Sequence, residues 1–238
     1  MLIGMAQWAV TIGRLDIAFA VSSLSRVRKY LKKNPNRRHV LDSRPLLIDS
    51  DLRKTSFHPD FLKDYPDAHE DIASDFPKAY GRELETAVFF DADHAHDHVT
   101  RRSISGLIVF VGSTPVLWHS KRQGCIATST YCAEFISMRS AVEEAISICY
   151  MLRCLGIPVS KPTDLFGDNF GVIQSAKIPK GELKKKHIAI SYHYVREAIA
   201  ANKIVNAIWI RSAENFADLC TKALGSNIFR DLVDAMMA

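Results

Sequence analysis

The sequence predicts an α/β fold, a five-stranded mixed sheet with helices on both faces. Three observations carry this. Residues 86–120 hold three short β-forming runs separated by turn signals. A long amphipathic helical pattern follows over 128–155. Two more β-forming runs, 163–167 and 204–210, then alternate with helical segments. Strands followed by alternating helices and strands imply one sheet with helices packed on its faces.

Each element has a local reason. The first strand, 86–92, contains Ala87-Val88-Phe89-Phe90 and ends at Asp91 and Ala92. The second, 103–112, is rich in β-formers (Leu107-Ile108-Val109-Phe110-Val111). Gly112-Ser113-Thr114-Pro115 turns the chain into the third strand, 115–120, so these two form an antiparallel hairpin. Both are expected to run antiparallel to the first strand. In the helix over 128–155, Phe135, Met138, Val142, Ile146, Cys149 and Leu152 form the buried stripe, and Gly156 and Pro158 end it. Asn169 caps a short helix through Ala176. Further helices are expected over 187–202, 215–223 and 227–236.

Upstream, residues 16–33 read as a helix with Ile17, Val21, Leu24, Val27 and Leu31 on one face. Arg26, Arg28, Lys29 and Lys32 lie elsewhere around it; that basic side either follows a phosphate backbone or is simply solvated. The stretch 49–82 is polar, with Pro59, Pro66 and Pro77, and reads as a long connection with little regular structure. The organisation expected is an N-terminal helical segment over 1–48, a linker over 49–82, the α/β domain over 83–225 and a C-terminal helix over 226–238.

The 238 residues, 47% hydrophobic, suffice for one good-sized domain plus an appendage. A formal net charge of +5 permits nucleic-acid binding without requiring it. The 5 cysteines are scattered without a CxxC pair, which suits a reduced intracellular setting and gives a zinc site little support. No apolar run approaches a membrane span, so no membrane partner is expected. The N-terminus lacks the basic head of a signal peptide and begins inside an apolar segment, as in a piece of a longer polypeptide.

Four acidic residues stand in distinctive local frames. Asp91 closes the first strand, and Glu134 lies near the start of the long helix in Ser129-Thr130-Tyr131-Cys132-Ala133-Glu134-Phe135. Asp168 follows the fourth strand, and Asp218 lies in Asn215-Phe216-Ala217-Asp218-Leu219-Cys220-Thr221-Lys222. Gathering carboxylates is costly unless a hard cation neutralises them. Singly, each is an ordinary surface acid. Jointly, they point to a metal-assisted hydrolase. Asp93, two residues on, either supports such a site or faces solvent. His94, His96 and His98 read as a polar loop rather than a transition-metal site, because no further ligands of that kind are evident.

The ordered words carry a family resemblance. Phe90-Asp91-Ala92-Asp93, Thr100-Arg101-Arg102-Ser103, Trp118-His119-Ser120-Lys121-Arg122-Gln123, Ala133-Glu134-Phe135, Asp168-Asn169, Lys186-His187-Ile188, Tyr192-His193-Tyr194-Val195-Arg196-Glu197 and Ala217-Asp218-Leu219-Cys220-Thr221-Lys222 occur in that order. Together they resemble the ribonuclease H (RNase H) region of Ty1/copia-type retrotransposon Pol polyproteins. Gln7-Trp8-Ala9-Val10 and Val21-Ser22-Ser23-Leu24-Ser25-Arg26 resemble the end of the reverse transcriptase thumb, truncated before Tyr30.

The resemblance implies an RNase H-like fold and cleavage of the RNA strand of RNA:DNA hybrids during reverse transcription. It implies two Mg²⁺ ions, with Mn²⁺ as an alternative, held by Asp91, Glu134, Asp168 and Asp218. Asp91 would bridge both ions, which clamp a phosphate from roughly 3.5–4 Å apart. Hybrid contacts are expected from Arg101, Arg102, Lys121, Arg122, Gln123, Asn169, Lys184, Lys185 and Lys186. The implied partners are the hybrid and the rest of a Pol polyprotein, and the implied location is the cytoplasm or a virus-like particle. The truncated thumb and the altered histidine loop after Asp93 argue for the alternative, a catalytically silent remnant that binds hybrid or duplex, and the presence of all four acids argues against it. Gly167, where a less flexible residue is usual, is a further departure from the family pattern that bears on the level of activity.

Overall fold

The computed structural model describes residues 46, 60–70, 72, 76–178, 188–201 and 204–237. The helix expected over 16–33 and the basic run Lys184-Lys185-Lys186 lie outside the described residues.

The run Ala87-Val88-Phe89-Phe90 is apolar at consecutive positions because its strand is covered on both faces. That strand, β1 (Thr86–Asp93), is the centre of a five-stranded sheet. β2 (Ile104–Val111) pairs with it antiparallel, and β3 (Thr114–Arg122) pairs antiparallel with β2. On its other side β1 pairs parallel with β4 (Thr163–Gly167), which pairs parallel with β5 (Val205–Trp209). The spatial order is β3-β2-β1-β4-β5. The expectation of two strands antiparallel to β1 holds for β2 alone. As the far arm of a hairpin, β3 reverses again and runs in the direction of β1.

Alternate residues feed two cores. Val88, Phe90, Leu107, Val109 and Leu165 face one side. There they meet α2 (Thr130–Cys154), α3 (Phe170–Lys177) and α4 (Ala189–Ala200), with Phe135, Met138 and Val142 of the predicted stripe fully buried. Ala87, Phe89, Ile108, Phe110 and Phe166 face the other side. A one-turn helix, α5 (Asp218–Thr221), and the final helix, α6 (Ser226–Met237), cover them through Leu219, Cys220, Leu232 and Val233. Phe89 stacks on Phe166 at 4.8 Å and meets Phe216 edge-on at 4.7 Å.

Part of the stretch read as a linker packs on this domain. A single helical turn, α1 (Phe61–Asp64), sets Phe61 into the helical core at 1% exposure. The buried guanidinium of Arg196 lies over the rings of Phe61 and Tyr192, 5.0 and 4.8 Å from their centroids. It also donates to the Tyr65 and Tyr192 hydroxyls and to the carbonyls of Ser175 and Ile178. A further tie is the ion pair of Glu70 with Arg153 on α2.

Two glycines let elements approach where a side chain would not fit. A Cβ on Gly106 would lie 2.5 Å from Thr221 Cγ2 and 2.8 Å from the Ala217 carbonyl oxygen. On Gly167 it would lie 2.4 Å from the Phe90 ring. The departure at Gly167 therefore has a packing reason, since Phe90 fills the space a larger residue would need. Gly106→Ala should destabilise the fold by about 1–3 kcal/mol, because backbone and buried atoms must move. Gly124→Ala, which meets open space, should be close to neutral. Denaturant midpoints of the two variants check this, the first falling and the second staying near the parent.

Candidate active site

Parallel pairing sets the first two acids side by side. Phe89 is in register with Phe166, so Asp91 and Asp168, each two residues further on, lie at the same end of the sheet. Asp91 is still in β1, opposite Gly106 of β2. Asp168 follows the last residue of β4, and its backbone carbonyl accepts from Trp209 Nε1 at 2.9 Å. The Ser212 hydroxyl donates to its Oδ2 at 2.6 Å.

The third acid arrives from α2. Ser129 caps that helix by accepting from the Cys132 N–H. Ser137 donates to the Asp91 carbonyl at 2.8 Å, pinning the helix across the end of β1. Glu134, at 5% exposure, thereby turns inward, and its carboxyl accepts from the Ala92 N–H. Its Oε2 is buried without a hydrogen-bond partner. One oxygen each from Asp91, Glu134 and Asp168 lies within 4.8 Å of the others.

The fourth acid comes from the opposite face. Asn215 is fully buried and donates from Nδ2 to the Phe90 carbonyl at 3.0 Å, while its Oδ1 accepts from the Ala217 N–H. This fixes the start of α5 against β1. From α5, the Thr221 hydroxyl donates to Asp91 Oδ2. Lys222 sends its ammonium 2.7 Å from Asp218 Oδ1, 3.2 Å from Asp91 Oδ1 and 3.9 Å from Asp168 Oδ2. Asp218 stands beside the three-acid group rather than within it, joined through Lys222.

The electrostatics follow from this crowding. Burial, then the charges of Asp91 and Asp168, push Glu134 up to about 9. Burial, then Asp91, push Asp218 up to about 7. Burial also raises Asp91, against the opposing pull of Lys222 and Thr221. Burial works against the charge of Lys222, yet the carboxylates around it outweigh burial and hold its pKa above the ordinary lysine value.

The remaining residues singled out in the sequence lie around this centre. Asp93 is turned to His96, whose Nδ1 is 2.5 Å from Asp93 Oδ2. His94 Nε2 lies 3.0 Å from the Ala127 carbonyl oxygen. The histidines form no metal-binding group among the described residues. Arg101 and Lys121 are exposed, and Arg102 is half-buried. Arg122 is exposed but paired with Asp97 at 2.6 Å. Hydrogen bonds from Thr100 and Arg122, and from the Val99 and Thr100 N–H groups, hold Asp97 well below the usual carboxylate range. Asn169 uses Oδ1 to cap α3 at Val172 N–H.

Gln123 differs from expectation. It is 5% exposed, and its Nε2 donates inward to Ser105 Oγ and the Ala133 carbonyl, so it braces the residue next to Glu134 instead of facing a groove. Thr221, Lys222, Ser212 and Asn215 were not assigned roles from the sequence. The available signals were the spacing of Asp218 and Lys222, four apart in a helical frame, and the place of Thr221 and Lys222 in the same family-resembling word as Asp218.

This strand order, with acids gathered at the ends of β1 and β4, defines a protein of the RNase H fold. In sequence the chain is similar to curated retrovirus-related Pol polyproteins of copia-type transposons. It is 28% identical over 230 residues to that of transposon RE1 from Arabidopsis thaliana, covering 97% of this chain and 14% of the relative. It is 31% identical over 151 residues to that of transposon RE2 from the same plant, covering 63% of this chain and 10% of the relative. The chain thus spans a small fraction of the polyproteins it matches. Among solved structures, an N-terminal RNase H domain from Mycobacterium tuberculosis aligns with a TM-score of 0.45 at 14% identity, covering 65% of this chain and 96% of that one. No protein-family model matches the chain. No described helix is long and apolar enough to cross a membrane.

The raised acids predict a pH dependence. Glu134 binds its proton more tightly folded than unfolded, so its contribution to stability is complete below about 4.3, the unfolded value. That contribution is lost as pH rises toward about 9, and the Asp218 contribution is lost toward about 7. Thermal melts of metal-free protein should fall in midpoint between pH 5 and 9. In Glu134→Gln the fall should be distinctly shallower; parallel profiles for the two proteins would contradict the assignment.

Proposed function

We propose that this chain hydrolyses the RNA strand of RNA:DNA hybrids, as the RNase H segment of a retrotransposon Pol polyprotein. The observation that carries the reading is the convergence of Asp91, Glu134 and Asp168 from three separate elements, with oxygens within 4.8 Å and one buried oxygen unpartnered. An all-oxygen donor set suits Mg²⁺ or Mn²⁺, and these three residues with Asp218 would hold it. When bound, such ions lower the pKa of a water and offset the charge on a phosphate under attack.

The chain's own part is orientation and electrostatics. Thr221 fixes one oxygen of Asp91, Ser212 fixes Asp168, and the Ala92 N–H fixes Glu134. Ligands held this way need little reorganisation when substrate arrives. Strand register extends the site toward substrate. Lys121 is opposite Ser105, which is opposite Ala92, so Lys121 lies two strands across from the acids at the same end of the sheet. With Arg101 it supplies positive charge to a phosphate backbone. Arg102, the run Lys184-Lys185-Lys186 and the Asn169 amide complete the proposed hybrid contacts, Asn169 being suited to a ribose 2′-hydroxyl. Arg122 can join them only on leaving Asp97.

The test uses the full chain, Mg²⁺ and a hybrid labelled on its RNA strand. Wild-type protein should cut the RNA strand internally and leave the DNA intact. Asp91→Asn, nearly isosteric, should reduce cleavage to background while hybrid affinity changes by no more than about twofold, since affinity comes from basic residues and falls steeply with salt. Cleavage at the wild-type rate by Asp91→Asn overturns the assignment. Binding without cleavage by the wild-type chain favours the silent remnant.

A further inference from the structure

Lys222 is placed unlike an ordinary surface lysine. Its ammonium reaches oxygens of three of the four acids, at 2.7, 3.2 and 3.9 Å, and two of those acids belong to the group that could hold a metal. Asp91 is 1% exposed, so its charge has almost no solvent to screen it. Among the described residues, Lys222 is the cation that meets it in an ion pair.

We propose that Lys222 is a built-in surrogate for the metal, neutralising the cluster in the metal-free protein and yielding its place when a divalent ion binds. The inference rests on the metal-dependent reading above and adds a positioning residue to it. The geometry makes competition unavoidable. An ion ligated by Asp91 and Asp168 must use carboxylates that Lys222 already contacts, and two cations drawn to the same oxygens repel. The lysine is also able to leave. Its side chain is 36% exposed, and its backbone N–H stays bonded to the Asp218 carbonyl at 2.9 Å as the cap of α5. The flexible four-carbon stem can therefore swing the ammonium to water without moving the helix.

A purely structural lysine and a surrogate cation differ in what their loss does. Loss of a structural lysine weakens the fold and, with it, metal binding. Loss of a surrogate weakens the metal-free fold but strengthens metal binding, because the competitor is gone. Lys222→Met keeps most of the stem and removes the charge, and Lys222→Arg keeps the charge. Mn²⁺ binding to the full chain can be followed by the electron paramagnetic resonance of free Mn²⁺, with melts recorded in chelator.

Lys222→Met should bind the first Mn²⁺ at least tenfold more tightly than wild type and melt at a lower temperature without metal. Excess Mn²⁺ should close the gap between the two melting points. Lys222→Arg should retain the weaker, wild-type-like affinity. Unchanged or weakened Mn²⁺ affinity in Lys222→Met overturns the proposal, as does absence of Mn²⁺ binding in every protein. If the Met variant does not fold, Lys222→Gln takes its place under the same criteria. Hybrid cleavage measured in parallel separates the two ideas. A wild-type chain that binds Mn²⁺ competitively with Lys222 but never cuts hybrid keeps this inference and loses the function proposed above.

Discussion

Carboxylates sharing a desolvated pocket repel one another, and the end of β1 is built around containing that repulsion. Asp91 is nearly inaccessible, Glu134 is buried beside it, and Asp168 leaves the neighbouring strand within reach of both. Without compensation such a group either takes up protons or pushes its elements apart. The protein uses both remedies. Glu134 and Asp218 hold their protons to unusually high pH, and Lys222 supplies a positive charge. A divalent cation would provide the same neutralisation in the proposed function, so the crowding of these carboxylates also suits them to bind metal.

The rest of the architecture serves the closeness of these groups. Parallel pairing of β1 with β4 fixes the separation of Asp91 and Asp168 through the backbone. α2 is held over the strand end by its Ser129 cap, the Ser137 hydroxyl and the inward amide of Gln123. From the opposite face, Asn215 and the bare Cα of Gly106 allow α5 to press against the sheet. Asp218, Thr221 and Lys222 then reach the same point from below. The site is a junction between both cores, so packing changes on either face should be felt there.

Much of this was legible in the sequence, for identifiable reasons. The β-forming runs, the Asn169 cap and the helical stripe of Phe135, Met138 and Val142 follow local rules of periodicity and capping. The four acids stood out because each sits in a recognisable local frame. What escaped was tertiary. Gln123 reads as a polar groove residue, and its turn toward Ala133 depends on where α2 lands. The segment around Phe61 reads as a polar connection, because what holds it lies far along the chain, Arg196 over Phe61 and Arg153 paired with Glu70. Lys222 reads as a solvated lysine until folding brings Asp91 and Asp168 to it. The expectation that β3 runs antiparallel to β1 fails for a simpler reason, since a second hairpin restores the original direction.

The central claim is that these carboxylates form one divalent-cation site. Anomalous scattering from crystals of the chain soaked in Mn²⁺ tests it most directly. The expected result is a peak bounded by the carboxylates of Asp91, Glu134 and Asp168, with the Lys222 ammonium displaced from Asp91. A peak elsewhere, or none at millimolar Mn²⁺ with Lys222 still seated on Asp91 and Asp218, would contradict it.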